Sequence, residues 1–250
     1  MTLSVILVVK NEEQNIARCL KTVSFADEIL VADSGSTDRT VDIASRFTDK
    51  IFEVKKFHFS GTKQFLLDKA TSDWVLWIDA DEWLTPELER SIKNILRTGS
   101  NYSGYYILRQ SCYLGRWMRH SGWYPDWVLR LFRRKEASFN GKAVHEGVKL
   151  TGNIGRLSGK LLHHPYRDIS HQLEKMNRYT DLWSSEMLLL DRRISMLDVL
   201  LRPIWKVIST YFLKFGILDA FPGFILSVMS GYYTFLKYLK LYEKSRNSIS

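Results

Sequence analysis

The chain has 250 residues, enough for one large α/β domain with an appendage and too few for two full domains. Its formal net charge of +9 favours anionic partners: nucleotide diphosphates, phosphorylated glycolipids or an anionic membrane face. The two cysteines, Cys19 and Cys112, have no Cys-x-x-Cys spacing, which excludes a disulfide framework and a structural zinc site, and no recognisable nucleic-acid-binding module is present.

The first residues lack the basic region and small-residue cleavage site of a signal peptide, so Leu3 to Val9, a continuous apolar and β-branched run, reads as a first strand. A helical pattern follows from Ile16 to Val23. Glu28 to Ala32 repeats the strand signal, Asp33-Ser34-Gly35-Ser36-Thr37-Asp38 is a turn-rich loop, and Thr40 to Phe47 returns to helical spacing. A strand at Ile51 to Val54, a helix at Gln64 to Ala70 and a strand at Trp74 to Ile78 complete the series. Strands alternating with short helices predict an α/β fold with a mostly parallel sheet flanked by helices.

Beyond that point the pattern changes. Thr85 to Arg97 reads as a helix with Thr85 as its cap, Pro86 in its first position and Glu87 favouring its dipole. Tyr105 to Arg109 and Val128 to Phe132 read as strands around an irregular aromatic and basic loop at 111–124, with further short strands at Val144 to Lys149 and Lys160 to His163. From Ser170 the chain is helical: Ser170 to Leu190, Leu197 to Phe215 and Ala220 to Tyr242. The 17 residues Ala220 to Leu236 carry no charge and are followed by Lys237, Lys240, Lys244 and Arg246. This stretch is marginal in length for a membrane span and contains Pro, Gly and Ser, so the expectation is an amphipathic segment lying on an anionic inner leaflet; the alternative is a helix packed against the rest of the chain.

The densest chemistry lies where the Trp74–Ile78 run ends in Asp79-Ala80-Asp81-Glu82. Burying acids at the end of an apolar strand is costly unless a cation or ligand offsets them, and the carboxyl end of such strands is where open α/β sheets hold ligands. Oxygen ligands from Asp79 and Asp81 suit a hard divalent ion, Mg2+ or Mn2+, holding a diphosphate. The competing reading is an acidic cluster that merely opens the following helix. Asn11-Glu12-Glu13 and Asp33 end two further strands. Asp33 is a candidate acceptor of hydrogen bonds from a uracil or ribose, while Ser34, Gly35 and Thr37 keep its loop tight and Thr37 or Asp38 caps the helix after it.

Val8-Val9-Lys10-Asn11-Glu12, Asp33-Ser34-Gly35-Ser36-Thr37-Asp38 and Asp79-Ala80-Asp81-Glu82, in this order, resemble the nucleotide-sugar-binding half of the family 2 inverting glycosyltransferases. The resemblance implies a GT-A (Rossmann-like) fold, a UDP-sugar donor, a divalent metal, and a donor site built from Val9, Asn11, Glu12, Asp33, Ser34, Asp79, Ala80 and Asp81. Gly122-Trp123-Tyr124-Pro125-Asp126-Trp127 through Arg134, then Val144-His145-Glu146 and His164, are similar to bacterial lipopolysaccharide core β-glucosyltransferases, implying transfer of glucose to an inner-core heptose. The division expected is a catalytic domain at 1–168, its donor half at 1–100 and acceptor half at 101–168, and a helical, membrane-associated extension at 169–250, on the cytoplasmic side of the inner membrane.

An inverting transfer needs a base for the acceptor hydroxyl and a stabilised leaving group on the opposite side of the sugar. Asp126 is the first candidate base and Glu146 the second, with His145 orienting the acceptor; the alternative for Asp126 is an ion pair with Arg130 or Arg133. Asp81 is the expected direct metal ligand, Asp79 contacts ribose or metal, and His164 is either a further ligand or a polar strand end. Arg130 is a candidate phosphate grip. Trp123, Tyr124 and Trp127 offer faces for an acceptor sugar or form an apolar lid. Among rivals, a nicotinamide-dependent Rossmann enzyme would need Gly-x-Gly-x-x-Gly where Lys10-Asn11-Glu12-Glu13 stands, and a sugar nucleotidyltransferase a glycine-rich first loop. A polyprenyl-phosphate sugar transferase shares the first-half motifs, and a noncatalytic membrane-bound module would rest on basic charge alone.

Overall fold

The computed structural model describes residues 1–54, 59–139, 147–190, 192 and 194–247. They form two compact units, Met1–Gln110 with Asp126–His163, and Ser111–Pro125 with His164–Ser250. Residues 111–125 thus group with the C-terminal helices.

The first unit begins with β1 (Leu3–Val9), α1 (Ile16–Thr22), β2 (Glu28–Asp33), α2 (Thr40–Ala44), β3 (Ile51–Glu53), α3 (Phe59–Lys69) and β4 (Trp74–Trp77). Strand β1 pairs in parallel with both β2 and β4, and β2 with β3. Its continuous apolar run follows from burial on both faces: Leu3, Val5, Leu7 and Val9 pack with α1 residues Ile16, Cys19 and Leu20, while Ile6 packs with Leu66 and Leu67 of α3 and with Ala70 just beyond it. At the amino edge of the sheet Glu28 is a clamp, accepting hydrogen bonds from Lys50 Nζ (2.6 Å), Thr71 N (2.5 Å) and the Ser4 hydroxyl.

The chain continues through β5 (Glu82–Leu84), α4 (Pro86–Thr98), β6 (Gly104–Tyr113), β7 (Arg116–Trp117), β8 (Asp126–Arg133), β9 (Ala137–Phe139), β10 (Val148–Leu150) and β11 (Ile154–His163). Thr85 caps α4, accepting from Leu88 N, with Pro86 at its start and Glu87 in its first turn, as the sequence predicts. The main sheet runs β3-β2-β1-β4-β8-β6-β11-β5. Strands β8 and β5 join by antiparallel pairing, so the second half is mixed. Strand β5 escaped sequence reading because three residues opening on an acid give no periodicity, and β6 and β11 are each longer than their apolar runs. Of the strand expected at 144–149, residues 144–146 lie outside those described and β10 supplies the rest.

The second unit is dominated by α5 (Ile169–Leu189), α6 (Met196–Ile208) and α7 (Ala220–Asn247). The expected helix through Phe215 leaves α geometry at Ile208: a π turn covers Ser209–Leu213 and a 3-10 turn Gly216–Asp219. Helices α6 and α7 approach closely at Gly231, where a Cβ would stand 2.4 Å from Val207 Cγ2, so only glycine fits. The basic side chains expected to face a leaflet are largely spent on α5. Lys237 lies 4.1 Å from the Trp183 ring centroid, Lys240 reaches Asn177 Oδ1 (2.6 Å) and Asp181 Oδ1 (2.9 Å), and Lys244 donates to the hydroxyls of Ser184 (2.9 Å) and Ser185 (2.8 Å).

Candidate active site

Parallel pairing brings the carboxyl ends of β1, β2 and β4 to one rim of the first unit, with Val9 in register with Asp33. The loops leaving β1 and β2 there interlock. Asn11, at φ 55, donates its N–H to Ser36 Oγ (2.9 Å) and accepts from Thr37 N at its side-chain oxygen (2.8 Å). Glu12 N donates to Thr40 Oγ1 (2.7 Å), Glu13 N to Asp38 Oδ2 (3.2 Å), and Ser34 N to Val9 O (3.0 Å). Asp38 accepts from Thr40 N (3.0 Å), but Arg39 stands at the N-cap of α2 and no side chain caps the helix, so the cap expected from Thr37 or Asp38 is not made.

Asp33 is buried and accepts from Gly35 N (3.1 Å), Ser36 N (3.0 Å) and Ser36 Oγ (2.5 Å). Gly35 holds φ 82, a conformation a side chain would strain, and this curls the loop around the carboxylate. Asp33 is therefore at once a loop organiser and a rim carboxylate. Beside it the Ser34 hydroxyl is buried, with no hydrogen-bond partner among the described residues.

After β4 the acids divide their work. Asp79 Oδ2 accepts from Arg130 Nη2 (2.6 Å), and the same nitrogen donates to Glu82 Oε1 (2.9 Å). Glu82, fully buried, also accepts from Arg109 Nη1 (3.0 Å) and, through Oε2, from Asp79 N (3.1 Å). Arg109 in turn donates from Nε (2.9 Å) and Nη2 (2.8 Å) to Asp126 Oδ2. Burial pushes the Asp79 carboxyl up, but Arg130, Lys63 and Arg109 outweigh it and hold the group well below the usual carboxylate range. The Arg130 guanidinium, which burial alone would bring down, is raised by Asp79 and Glu82. Its Cζ lies 3.9 Å from the Trp77 ring centroid, and Lys63 Nζ covers the same ring at 3.9 Å.

Sequence reasoning placed Asp126 between catalysis and an ion pair with Arg130 or Arg133. The ion pair is made with Arg109, while Arg133 donates to the carbonyls of Ser100 and Tyr102. Arg130, expected as a phosphate grip, is only 3% exposed and bonded to Asp79 and Glu82. Asp81 faces His163, with Nε2 to Oδ2 at 3.6 Å. His164 belongs to the second unit, against the Trp117 ring at 5.5 Å. The aromatic loop is divided likewise: Trp123 packs with Tyr113 (5.6 Å) and Tyr166 (6.3 Å) and neighbours Tyr124 in the second unit, whereas Trp127 on β8 is covered by Arg156 (4.7 Å) in the first. His145 and Glu146 lie outside the described residues.

Glu82, Arg109 and His163 are the rim residues that sequence reasoning missed. Glu82 had a signal, as the third acid within four residues; Arg109 and His163 had none, because their partners depend on the Arg109–Asp126 and His163–Glu82 strand registers. Among the described residues no group of three or more His, Cys, Asp or Glu side chains converges as a metal cage. Asp79 and Asp81 nevertheless suit a divalent cation of the kind that takes one or two carboxylates and completes its shell with phosphate oxygens and water, and Arg130, Lys63 and Arg109 favour the ionised form of Asp79.

A family model described as glycosyl transferase family 2 matches residues 4–150. The chain is 29% identical to an uncharacterized glycosyltransferase of Rickettsia typhi, over 99% of this chain and 90% of that protein. It is 27% identical to the lipopolysaccharide core biosynthesis glycosyltransferase LpsC of Rhizobium meliloti, over 98% and 93%. Among solved structures, the mannosyltransferase PcManGT from Pyrobaculum calidifontis, in complex with GDP-Man and Mn2+, matches with a TM-score of 0.55 at 12% identity, covering 96% of this chain and 86% of that one. Staphylococcus aureus TarS 1–349 in complex with UDP-GlcNAc matches with a TM-score of 0.51 at 14% identity, covering 99% and 92%. These two likenesses bear on fold alone, and the fold is GT-A.

Proposed function

The chain belongs to glycosyl transferase family 2, and from that premise we propose that it is an inverting transferase moving glucose from UDP-glucose to an inner-core heptose of lipopolysaccharide. The observation that carries this reading is the arginine bridge. Arg109 ties Asp126 to Glu82, which Arg130 ties to Asp79, so the candidate base and the donor-side carboxylate belong to one hydrogen-bonded network. The likeness to LpsC supports the acceptor class.

In this mechanism the interlocked β1 and β2 loops receive the nucleoside, with Asp33 at the base or ribose. Both Arg109 contacts fall on Asp126 Oδ2, which orients the carboxylate and leaves Oδ1 to take the acceptor proton as the hydroxyl oxygen attacks the anomeric carbon. The bond to the diphosphate breaks on the opposite face, inverting the configuration. Mg2+ or Mn2+, held by Asp81 and Asp79 together with the diphosphate, would neutralise charge on the departing UDP.

A donor screen with Mg2+ or Mn2+ and truncated core oligosaccharides, read by product mass, tests the proposal. A hexose added from UDP-glucose to heptose-terminated core is expected. Transfer only to polyprenyl phosphate would overturn the acceptor, and transfer only from another nucleotide sugar would overturn the donor. Asp126→Asn is expected to lose about 10²–10⁴-fold in kcat while UDP binding stays within a few-fold, as judged by calorimetry; retained turnover would remove Asp126 as the base.

A further inference from the structure

Helix α6 wears its apolar stripe outward. Leu197, Leu200, Leu201, Ile204, Trp205 and Ile208 recur at i, i+3, i+4, i+7, i+8 and i+11, and are 41–63% exposed. The other face turns inward, with Val199 buried and Val207 against α7 at Gly231. This reverses the rule for a helix facing water, where apolar residues face the core. The exposed apolar surface continues around the bend through Phe212, Leu213, Phe215, Leu218 and Phe221, the last 68% exposed.

The bend is built rather than frayed. Asp219, fully buried, accepts from Arg119 N (3.1 Å), His120 N (2.9 Å) and Ser121 Oγ (3.0 Å), and Ser121 N donates to Lys214 O (2.7 Å). Phe215 and Ala220 flank the 3-10 turn, both at φ 54, the first left-handed and the second at ψ −143, and such positive φ costs a non-glycine residue on the order of 1 kcal/mol or more. A set of hydrogen bonds that maintains two such residues keeps the apolar elbow in a fixed shape.

Its charge identifies what covers it. Between Asp198 and Asp219 the charged residues are Arg202, Lys206 and Lys214, with no acid among them. Asp198 answers Arg202 at 2.6 Å, and Lys214 is exposed. Two copies of this face would set cation against cation, whereas an anionic bilayer offers acyl chains to the apolar stripe and phosphates to the lysines. Among the described residues no single helix is long and apolar enough to cross a membrane, and the pair Met196–Leu213 and Gly216–Arg246 is bent by 72°.

We propose that the outward stripe of α6 and the elbow leading into α7 form an interfacial seat for an anionic lipid bilayer, lying in its surface with Trp205 and Phe221 among the acyl chains. This deepens the proposed function by placing the protein on the surface that carries a lipid-anchored acceptor, but its test uses no sugar transfer. The full chain is sedimented with vesicles of phosphatidylcholine with and without phosphatidylglycerol, and tryptophan emission is followed with brominated acyl chains.

The expected result is binding that requires phosphatidylglycerol, weakened about tenfold or more in Leu201→Gln/Trp205→Gln. Bromine quenching should be smaller in Trp205→Phe than in the unaltered chain. Equal vesicle binding by the double variant and the unaltered chain, or equal quenching with and without Trp205, would overturn the proposal. So would a dimer, seen by light scattering, that the double variant dissolves while neither protein binds vesicles, since a second copy would then be the occupant. Circular dichroism confirms that the variants are folded, and the quenching experiment on Trp205→Phe stands if the double variant is not.

Discussion

Glu82 stands between the buried Arg130 and the partly exposed Arg109, so its loss is felt first as stability. In Glu82→Gln the Arg130 and Arg109 guanidiniums keep less opposing charge in a water-poor site, and the cost of breaking such a buried pair is about 3 kcal/mol. Urea unfolding should show that loss as a lower midpoint with an unchanged slope. Asp81→Asn behaves differently. The side chain faces His163 at 3.6 Å, so the midpoint should fall by no more than about 1 kcal/mol, while transfer falls by several orders of magnitude. Near-normal turnover in that variant would remove the metal role. The aspartates were legible in the sequence because acids directly after an apolar run are conspicuous. The arginine that orients Asp126 was not, since Arg109 and Asp126 lie seventeen residues apart in the chain and meet only through the β6–β8 register.

At the scale of elements, β1, β2 and β4 could be read from their apolar runs, because burial on both faces removes polar alternation. Helix α4 could be read from Thr85 and Pro86. What could not be read was where α6 stops, since the π turn at Ser209–Leu213 continues the same apolar composition and differs only in hydrogen bonding. The amino edge of the sheet carries its own prediction. Burial of Glu28 is outweighed by hydrogen bonds from Lys50, Ser4 and Thr71, which hold its carboxyl at about 2, below the ordinary glutamate value. A depressed value in the folded state means that this stabilisation is complete above the ordinary glutamate value and is lost as pH falls from there through about 2. Glu28→Gln should therefore lower stability near neutral pH by roughly 1–3 kcal/mol, and stability plotted against acid pH should fall less steeply in the variant than in the unaltered protein.

For the whole molecule, composition pointed to an anionic partner, and the structure divides the basic residues by task. Arg109 and Arg130 are engaged in carboxylate pairs, Lys237, Lys240 and Lys244 hold α7 to α5, and Lys214 remains exposed at the elbow. The sequence suggested a lipid-facing C-terminal region but put the charge at its far end; the tertiary pairing of those lysines could not be seen in a linear pattern. Binding to phosphatidylglycerol vesicles should weaken as salt rises from about 0.1 M to 1 M, because the screening length shrinks from about 10 Å to 3 Å, yet not vanish, because the apolar stripe is indifferent to salt. Complete loss of binding at high salt would assign the attachment to charge alone. A different lesson comes from the rim, where the backbone of residues 11–13 is bonded to side chains of residues 36–40. A chimera that imports one of these segments from a relative severs its links to the other, so the two travel as a single cassette, and exchanging the proposed donor loops by transplantation requires both halves at once.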